Sequence, residues 1–245
     1  MRPSHCDGSR KFHRARRRVR GLAAVALLAA GLAFPAIAPA GVSHDGGRHA
    51  DISGMTESAS ARQIADWIVR TGDNRGVPFI VVDKVAARLF VFDKDGTVQA
   101  TSPVLLGLAR GDDSPPGIGN VKLAQMKPDQ RITPAGRFDA AMGRNLSGQD
   151  ILWIDYDAAV SLHRLTDPKP GLTARGRNAR LDSATVSDNR VSHGCINVSG
   201  DFFDHVIRAT FSRAGGVVYV LPETRSIEAE FHIAGSVISS QARPL

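Results

Sequence analysis

The feature that most constrains the fold of this chain is a series of short runs of β-forming residues that starts near residue 77. The runs are apolar, rich in Val, Ile and Phe, and bounded by turn-forming residues such as Asp95 and Gly96, which predict a hairpin. They lie at residues 79–82, 89–92, 97–106, 137–141, 152–156, 159–163 and 217–221. Many short strands and few helices predict a mainly β domain, built as a sandwich or a barrel.

Two helices are predicted beside these strands. Residues 59–70 carry apolar side chains at helical spacing, and Ser58 or Ser60 can cap the first turn. Ser199 can cap a second helix over residues 201–211, which would directly follow the only cysteine in this half of the chain.

Two long stretches between the strands contain many Gly, Pro and Asp residues. Residues 107–131 and 164–190 therefore predict long irregular segments at the surface. Segments of this length are uncommon in compact domains, and those that occur are often lids or binding loops.

The first forty residues have the pattern of a secretory signal. A cluster of arginines is followed by an apolar run at residues 21–34 and by the small residues Ala38 and Ala40. The alternative is an uncleaved N-terminal anchor, although the run is shorter than the roughly 20 residues that a spanning helix needs. We therefore expect an exported protein, located in the periplasm or the cell wall, with no stable transmembrane segment after cleavage.

Cleavage would change the charge of the protein. Eight of the 31 Lys and Arg residues and one of the 24 Asp and Glu residues lie in residues 1–40, so 23 of each remain afterwards. The mature chain is then formally neutral with histidine uncharged. The basic character of the whole chain therefore gives no reason to expect nucleic acid as a partner.

Cleavage would also remove Cys6 and leave Cys195 as a single cysteine. A lone cysteine in an exported protein has no internal disulfide partner, so it is either buried and inert or a reactive thiol. A thiol becomes a strong nucleophile when a nearby imidazole takes its proton. His193, two residues away, and His163, at the end of a predicted strand, are both candidates for that base.

The residues around Cys195 resemble a known signature. The segment from Ser192 to Asn197 reads Ser-His-Gly-Cys-Ile-Asn, and the segment from Thr133 to Phe138 reads Thr-Pro-Ala-Gly-Arg-Phe. Both motifs, in this order, resemble those of the L,D-transpeptidase catalytic domain family (YkuD-like), whose domain also begins with a β-hairpin. The resemblance covers roughly residues 77–222.

This resemblance implies a function and a site. Cys195 would attack a peptidoglycan stem peptide and form a thioester, and His163 would be its base. Ser192, His193, Gly194 and Asn197 would shape the site, with backbone amides near Gly194 and Cys195 stabilising the oxyanion. The partners would be stem peptides, with a neighbouring stem, a lipoprotein lysine or water as acceptor, and no metal or organic cofactor would be needed.

The chain departs from the family pattern after its upstream histidine. Arg164 stands where the family usually has a small residue, and the interval from His163 to Cys195 is longer than usual. An insertion would explain the interval. It adds arginines that either contact stem carboxylates or remain solvated, and we take Arg164 and Arg190 as candidate substrate contacts. The added arginines are Arg175, Arg177, Arg180 and Arg190.

Two other functions remain open at this point. A wall-binding protein without catalytic activity could use the same scaffold. A structural metal site could use Cys195 and His193 with His163 or His205, although zinc sites usually show paired ligands at two places. The sequence therefore divides into a signal peptide (1–40), a flexible leader (41–58), a helical segment (59–76), the catalytic domain (77–222) and a C-terminal tail (223–245).

Overall fold

The structure, a computed structural model, describes residues 48–51, 53, 58–165 and 174–233. The predicted signal peptide and most of the predicted leader lie outside these residues. The helices are α1 (Ala59–Thr71), α2 (Ala174–Leu181), α3 (Gly200–Phe202), α4 (Arg208–Phe211) and α5 (Ile227–Phe231), and a π-helical turn (Phe203–Ile207) joins α3 to α4. The strands are β1 (Phe79–Asp83), β2 (Arg88–Phe92), β3 (Val98–Pro103), β4 (Leu106–Gly107), β5 (Gly136–Arg144), β6 (Asp150–Asp155), β7 (Val160–Arg164), β8 (Arg190–Ser192), β9 (Ile196–Val198) and β10 (Gly216–Val220).

Eight of these strands form one sheet in the order β3-β2-β1-β10-β5-β6-β7-β9. Neighbours run antiparallel except in the pairs β1–β10 and β7–β9, which are parallel. Beyond β3, Leu105 bridges to Asn197 in β9, which brings the two edges of the sheet towards each other. The prediction of a mainly β, sandwich-like or barrel-like domain is confirmed.

The central strands β1 and β10 are buried on both faces. Ile80 and Val82 face a first core with the α3–α4 helix, while Phe79 and Val81 face a second core with α1. In a strand that is buried on both faces, the side chains on both faces are apolar. This explains why β1 appears in the sequence as a continuous apolar run.

The predicted helices are present at their predicted positions. Ser58 caps α1 by accepting a hydrogen bond from the Ala61 N–H, and α1 ends at Gly72 in the left-handed conformation. Ser199 caps α3 in the same way. Phe231 in α5 packs with α1 in the second core, so this core extends beyond residues 77 and 222, where the predicted catalytic domain begins and ends.

The first long segment, predicted to be irregular, contains three short 3₁₀ helices at Ile118–Asn120, Leu123–Gln125 and Pro128–Gln130. A buried ion pair fastens it to the end of β1, because Lys84 Nζ lies 2.8 Å from Asp112 Oδ1 with both side chains fully buried. Lys84 Nζ also donates to the Thr133 carbonyl at 3.0 Å. The Asp112 carboxylate accepts from the Glu223 N–H at 2.7 Å, which ties in the segment after β10.

Candidate active site

The parallel pairing of β7 with β9 brings the upstream histidine to the cysteine. His163 is in register with Asn197, two residues after Cys195. The His163 ring lies close enough to the Cys195 thiol for each group to shift the pKa of the other. Of the two imidazoles that the sequence offered as a base, that of His163 lies where it lowers the pKa of the thiol.

Ser161 is a second contact of the thiol, and sequence reasoning missed it. Its hydroxyl oxygen lies 3.7 Å from Cys195 Sγ. Alternate residues of a strand share a face, so Ser161 and His163 both point from β7 towards the thiol. That spacing of two was the signal that could have identified it.

The environment of Cys195 favours its ionised form. Burial raises the pKa of the thiol, but the interaction with His163, together with the Ser161 contacts, outweighs burial and holds that pKa below its usual value. Burial lowers the pKa of His163, yet the interaction with Cys195 and the Arg164 carbonyl leave it raised overall. Both shifts favour transfer of the proton from sulfur to imidazole.

The orientation of the His163 ring is fixed by its neighbours. Nδ1 lies 2.8 Å from the Arg164 carbonyl, which can only accept, so Nδ1 carries a hydrogen and donates it. The Asn197 side-chain nitrogen lies 2.9 Å from Nε2. Nε2 is therefore the ring nitrogen that can take up a proton, and the ring is held in place by the Arg164 carbonyl and the Asn197 amide.

The loop before Cys195 is closed by Ser192 and shaped by Gly194. Ser192 Oγ donates to the Cys195 carbonyl at 2.6 Å and accepts from the Gly194 N–H at 3.0 Å. Gly194 has a φ of +130°, and a Cβ there would lie 2.8 Å from the Ile132 carbonyl oxygen, so only glycine fits. The Gly194 N–H, expected to face an oxyanion, is instead bonded to Ser192. Two backbone N–H groups, near Gly194 and Cys195, were expected to stabilise the oxyanion, and that of Cys195 remains available for this.

Thr133, the first residue of the second motif, holds this loop from the other side. Its Oγ1 donates to the Gly194 carbonyl at 2.8 Å and accepts from the Gly107 N–H at 2.8 Å. The residue is almost fully buried. The two motifs are therefore in direct contact, and the motif that begins at Thr133 supports the backbone that presents Cys195.

Thr133→Val is expected to lower the free energy of unfolding by about 3 kcal/mol, because it leaves two buried backbone groups without a hydrogen-bond partner. Thr133→Ser keeps the hydroxyl and loses one methyl group, so about 1 kcal/mol is expected. Urea denaturation of the two variants measures the difference. Equal losses in both would show that the hydroxyl contributes nothing to the loop.

His193 lines the same cleft, and within the described ranges no hydrogen bond joins its ring to the thiol. Burial, followed by the charges of Arg131 and Arg177, lowers its pKa. The ring is therefore neutral at pH 7. Among the residues that the structure describes, none forms a hydrogen bond with the ring, which leaves both of its nitrogens available to a ligand.

The two arginines proposed as substrate contacts point elsewhere. Arg164 forms an ion pair with Asp204 and lies 4.5 Å above the Phe203 ring, on the face of β7 opposite His163. Arg190 pairs with Glu223 at 2.6 Å and is largely buried. Both side chains are engaged in holding the fold, and neither lines the cleft at Cys195. The structure therefore gives no support to their proposed contact with substrate.

Of the other arginines in the second long segment, Arg177 and Arg180 lie within the residues that the structure describes. Residues 166–173 and the Arg175 side chain lie outside the described residues. Arg180 donates to the Asp188 carbonyl at 3.2 Å. Arg177 is near enough to lower the pKa of His193 through its charge, so it is the member of this group closest to the site in electrostatic terms.

Cys195, His163 and Ser161 lie in a cleft of about 730 Å³. This volume is within the usual range for sites that hold small molecules or peptide segments. One wall is the 3₁₀ segment, with Ile118 and Met126, and the other is the β5–β6 hairpin, with Ile151 and Trp153. Within the described ranges, no three His, Cys, Asp or Glu side chains are grouped as a metal site would require, and His205 bonds to the Asp201 carbonyl at 3.0 Å.

Solved structures of related fold include three proteins of low sequence identity. The helical cell shape determining protein Pgp2 of Campylobacter jejuni is 16% identical, with a TM-score of 0.41, and the match covers 61% of this chain and 49% of that one. An L,D-transpeptidase from Mycobacterium smegmatis is 17% identical, with a TM-score of 0.33 and 58% of each chain covered. A mutant L,D-transpeptidase of Enterococcus faecium is 20% identical, with a TM-score of 0.32, and 59% of this chain and 49% of that one are covered.

This chain therefore matches about half to three fifths of the length of those structures. No curated protein matches the sequence. The family model for the L,D-transpeptidase catalytic domain matches residues 78–210, which is more than half of the chain and includes both motifs and every residue of the cleft. The chain belongs to the L,D-transpeptidase catalytic domain family.

Proposed function

We propose that the protein is an exported L,D-transpeptidase that forms a thioester between Cys195 and a peptidoglycan stem peptide. The observation that carries this proposal is that Cys195 and His163 line one cleft of about 730 Å³ and lie close enough for each to shift the pKa of the other. The ring is oriented by the Arg164 carbonyl, and the loop is braced by Ser192 and Thr133. A nucleophile, an oriented base and a rigid loop are the parts that acyl transfer needs.

In the first half of the reaction, His163 takes the thiol proton and Cys195 Sγ attacks the carbonyl carbon between the third and fourth stem residues. The Cys195 N–H donates to the oxyanion that forms. When the C–N bond breaks, His163 returns its proton to the departing amine. The terminal D-amino acid leaves, and the rest of the stem stays on Sγ as a thioester.

In the second half, an amine of a neighbouring stem attacks the thioester while His163 takes its proton. The C–S bond breaks, the proton returns to Sγ, and the two stems are joined by a new amide. Water in place of the amine would give an L,D-carboxypeptidase, and a lipoprotein lysine would attach that protein to the wall. The side chains named here complete every step, so the mechanism calls for no cofactor.

The location that we propose is outside the cytoplasmic membrane, in the periplasm or cell wall. The support is the pattern of residues 1–40, in which a basic cluster, an apolar run and small residues follow in the order of a secretory signal. In the part of the chain that the structure describes, no helix combines the length and apolarity that crossing a membrane requires.

Incubation of the mature protein with disaccharide-tetrapeptide tests this function. We expect cross-linked dimers, which mass spectrometry identifies by their mass and by release of one D-amino acid per cross-link. If the disaccharide-tripeptide were the only product, the activity would be that of a carboxypeptidase and not of a transpeptidase. An unchanged substrate, from protein whose fold is verified by circular dichroism, would contradict the enzymatic proposal and favour a wall-binding role.

A further inference from the structure

Two aromatic rings are stacked at the protein surface beside the cleft. The ring centroids of Trp153 and Tyr156 are 5.1 Å apart, and the ring planes differ by 24°. Tyr156 is 62% exposed and Trp153 is half-buried. A stacked pair of large rings at the surface is informative, because most aromatic area of this kind is buried or covered by a ligand.

The Trp153 ring is held in place by a glycine of the adjacent strand. A Cβ on Gly143 would lie 2.6 Å from Trp153 Cδ1, so the indole edge occupies the space that a side chain would need. Gly143 lies in β5, next to the strand that carries Trp153. The Trp153 ring is therefore fixed before a ligand binds, so it loses little conformational freedom on binding.

The stacked pair connects the thiol cleft with a second groove. Trp153 is in register with Ser161, which contacts Cys195 Sγ, and its side chain lines the cleft. Tyr156 lines the second groove, of about 370 Å³. A ligand that continues past the cleft in this direction would cross both rings.

The second groove has the polarity expected for a neutral, hydroxyl-rich ligand. Its charged lining consists of Asp139, Asp155, Asp157 and Arg137. Arg137 is paired with Asp73 at 2.6 Å and with Asp139 at 3.0 Å, so among the described residues Asp155 and Asp157 are the lining carboxylates without an ion pair. An excess of carboxylates repels polyanions, while each carboxylate can accept hydrogen bonds from hydroxyl groups. A sugar ring combines such hydroxyl groups with an apolar C–H face that can lie on an aromatic ring.

We propose that Trp153 and Tyr156 form a subsite for an N-acetylated sugar of the glycan strand to which the stem peptide is attached. This inference rests on the proposed function, because a stem peptide in the cleft brings its own sugar to the rim. The carboxyl group of that sugar is joined to the stem by an amide bond and therefore carries no charge. An acidic groove does not repel such a sugar. The subsite binds the substrate beyond the reacting amide and takes no part in the chemistry.

Kinetics with and without the sugar test the subsite. Tyr156→Ala is expected to raise KM for disaccharide-tetrapeptide about fivefold, the effect of one lost aromatic stack. Its KM for free tetrapeptide and its kcat for both substrates are expected to stay at wild-type values. Tyr156→Phe retains the ring and is the matched control, so it should behave as wild type. An equal rise in KM for both substrates would overturn the proposal in favour of a peptide contact.

Binding without turnover provides an independent measurement. The chain has two tryptophans, so in a Trp67→Phe background the fluorescence reports on Trp153. Titration with chitotetraose, a neutral N-acetylglucosamine oligomer, should give a saturable change that Tyr156→Ala weakens about fivefold. The absence of any change would overturn the subsite. A saturable change in a protein that does not turn over tetrapeptide would support the subsite and contradict the proposed function instead.

Discussion

Replacement of Cys195 by alanine is expected to lower kcat/KM for stem-peptide cross-linking by about 10⁴-fold or more. The reason is that no other side chain in the described cleft combines a nucleophilic atom with an adjacent base as Cys195 does with His163. Ser161 is the nearest hydroxyl, but its contact is with the sulfur itself. The variant should therefore lack the acyl-enzyme and all products derived from it.

Intact-mass spectrometry with a carbapenem-type β-lactam checks this expectation directly, because such a compound is an acyl donor whose ring opens on attack. Wild-type protein should gain the mass of one inhibitor, and Cys195→Ala should gain none. The Cys195 thiol makes only long contacts, at 3.7 Å to Ser161 and 3.9 Å to the Ala159 carbonyl, so the thermal unfolding midpoint of the variant should stay close to that of wild type. An adduct on a folded Cys195→Ala protein would refute the assignment of the nucleophile.

The parts of the fold that were predicted correctly depend on interactions between near neighbours in the chain. Ser58 and Ser199 cap helices within three residues of themselves. The hairpin at Gly96 joins two strands that are adjacent in sequence. The continuous apolar run of β1 is explained by cores on both faces of one strand. Each of these signals is complete within about ten residues, so the sequence could reveal it without the fold.

The parts that were missed depend on pairing between distant segments. Ser161 meets Cys195 only because β7 and β9 pair across 34 residues. The partner of Arg164 is 40 residues away and that of Arg190 is 33 residues away, so the sequence left both arginines free for a substrate. Thr133 was recognised as part of a motif, but its hydrogen bond to Gly194 spans 61 residues. Register between such segments is set by tertiary packing, which no local pattern encodes.

His163→Gln is expected to reduce kcat by about 10²- to 10⁴-fold, the usual contribution of a positioned general base. Glutamine fills similar space and can still form hydrogen bonds, but it cannot accept the thiol proton. His193→Gln is the matched control, since His193 lines the same cleft and has no bond to the thiol. A large loss in His193→Gln with turnover retained in His163→Gln would reverse the assignment of the base.

The dependence of thiol alkylation on pH separates the effect of His163 from that of burial. In wild type the lowered pKa of Cys195 keeps the thiolate present at a pH below the ordinary pKa of a cysteine thiol, so the iodoacetamide reaction should reach half its maximal rate at a lower pH than it does with free cysteine. Burial raises the pKa, and His163 is the larger of the influences that oppose it. In His163→Gln the midpoint should therefore move above the wild-type value, whereas Ser161→Ala should raise it by less.

The same two pKa directions determine the pH profile of turnover. Because the thiolate forms as pH rises through the lowered pKa of Cys195, kcat/KM should increase on the acid side. Because the imidazolium must protonate the leaving amine, kcat/KM should decline as pH rises through the raised pKa of His163. The profile is then bell-shaped, with its acid limb set by Cys195 and its alkaline limb by His163. A profile that rises monotonically to high pH would mean that the leaving group receives its proton from a group other than His163.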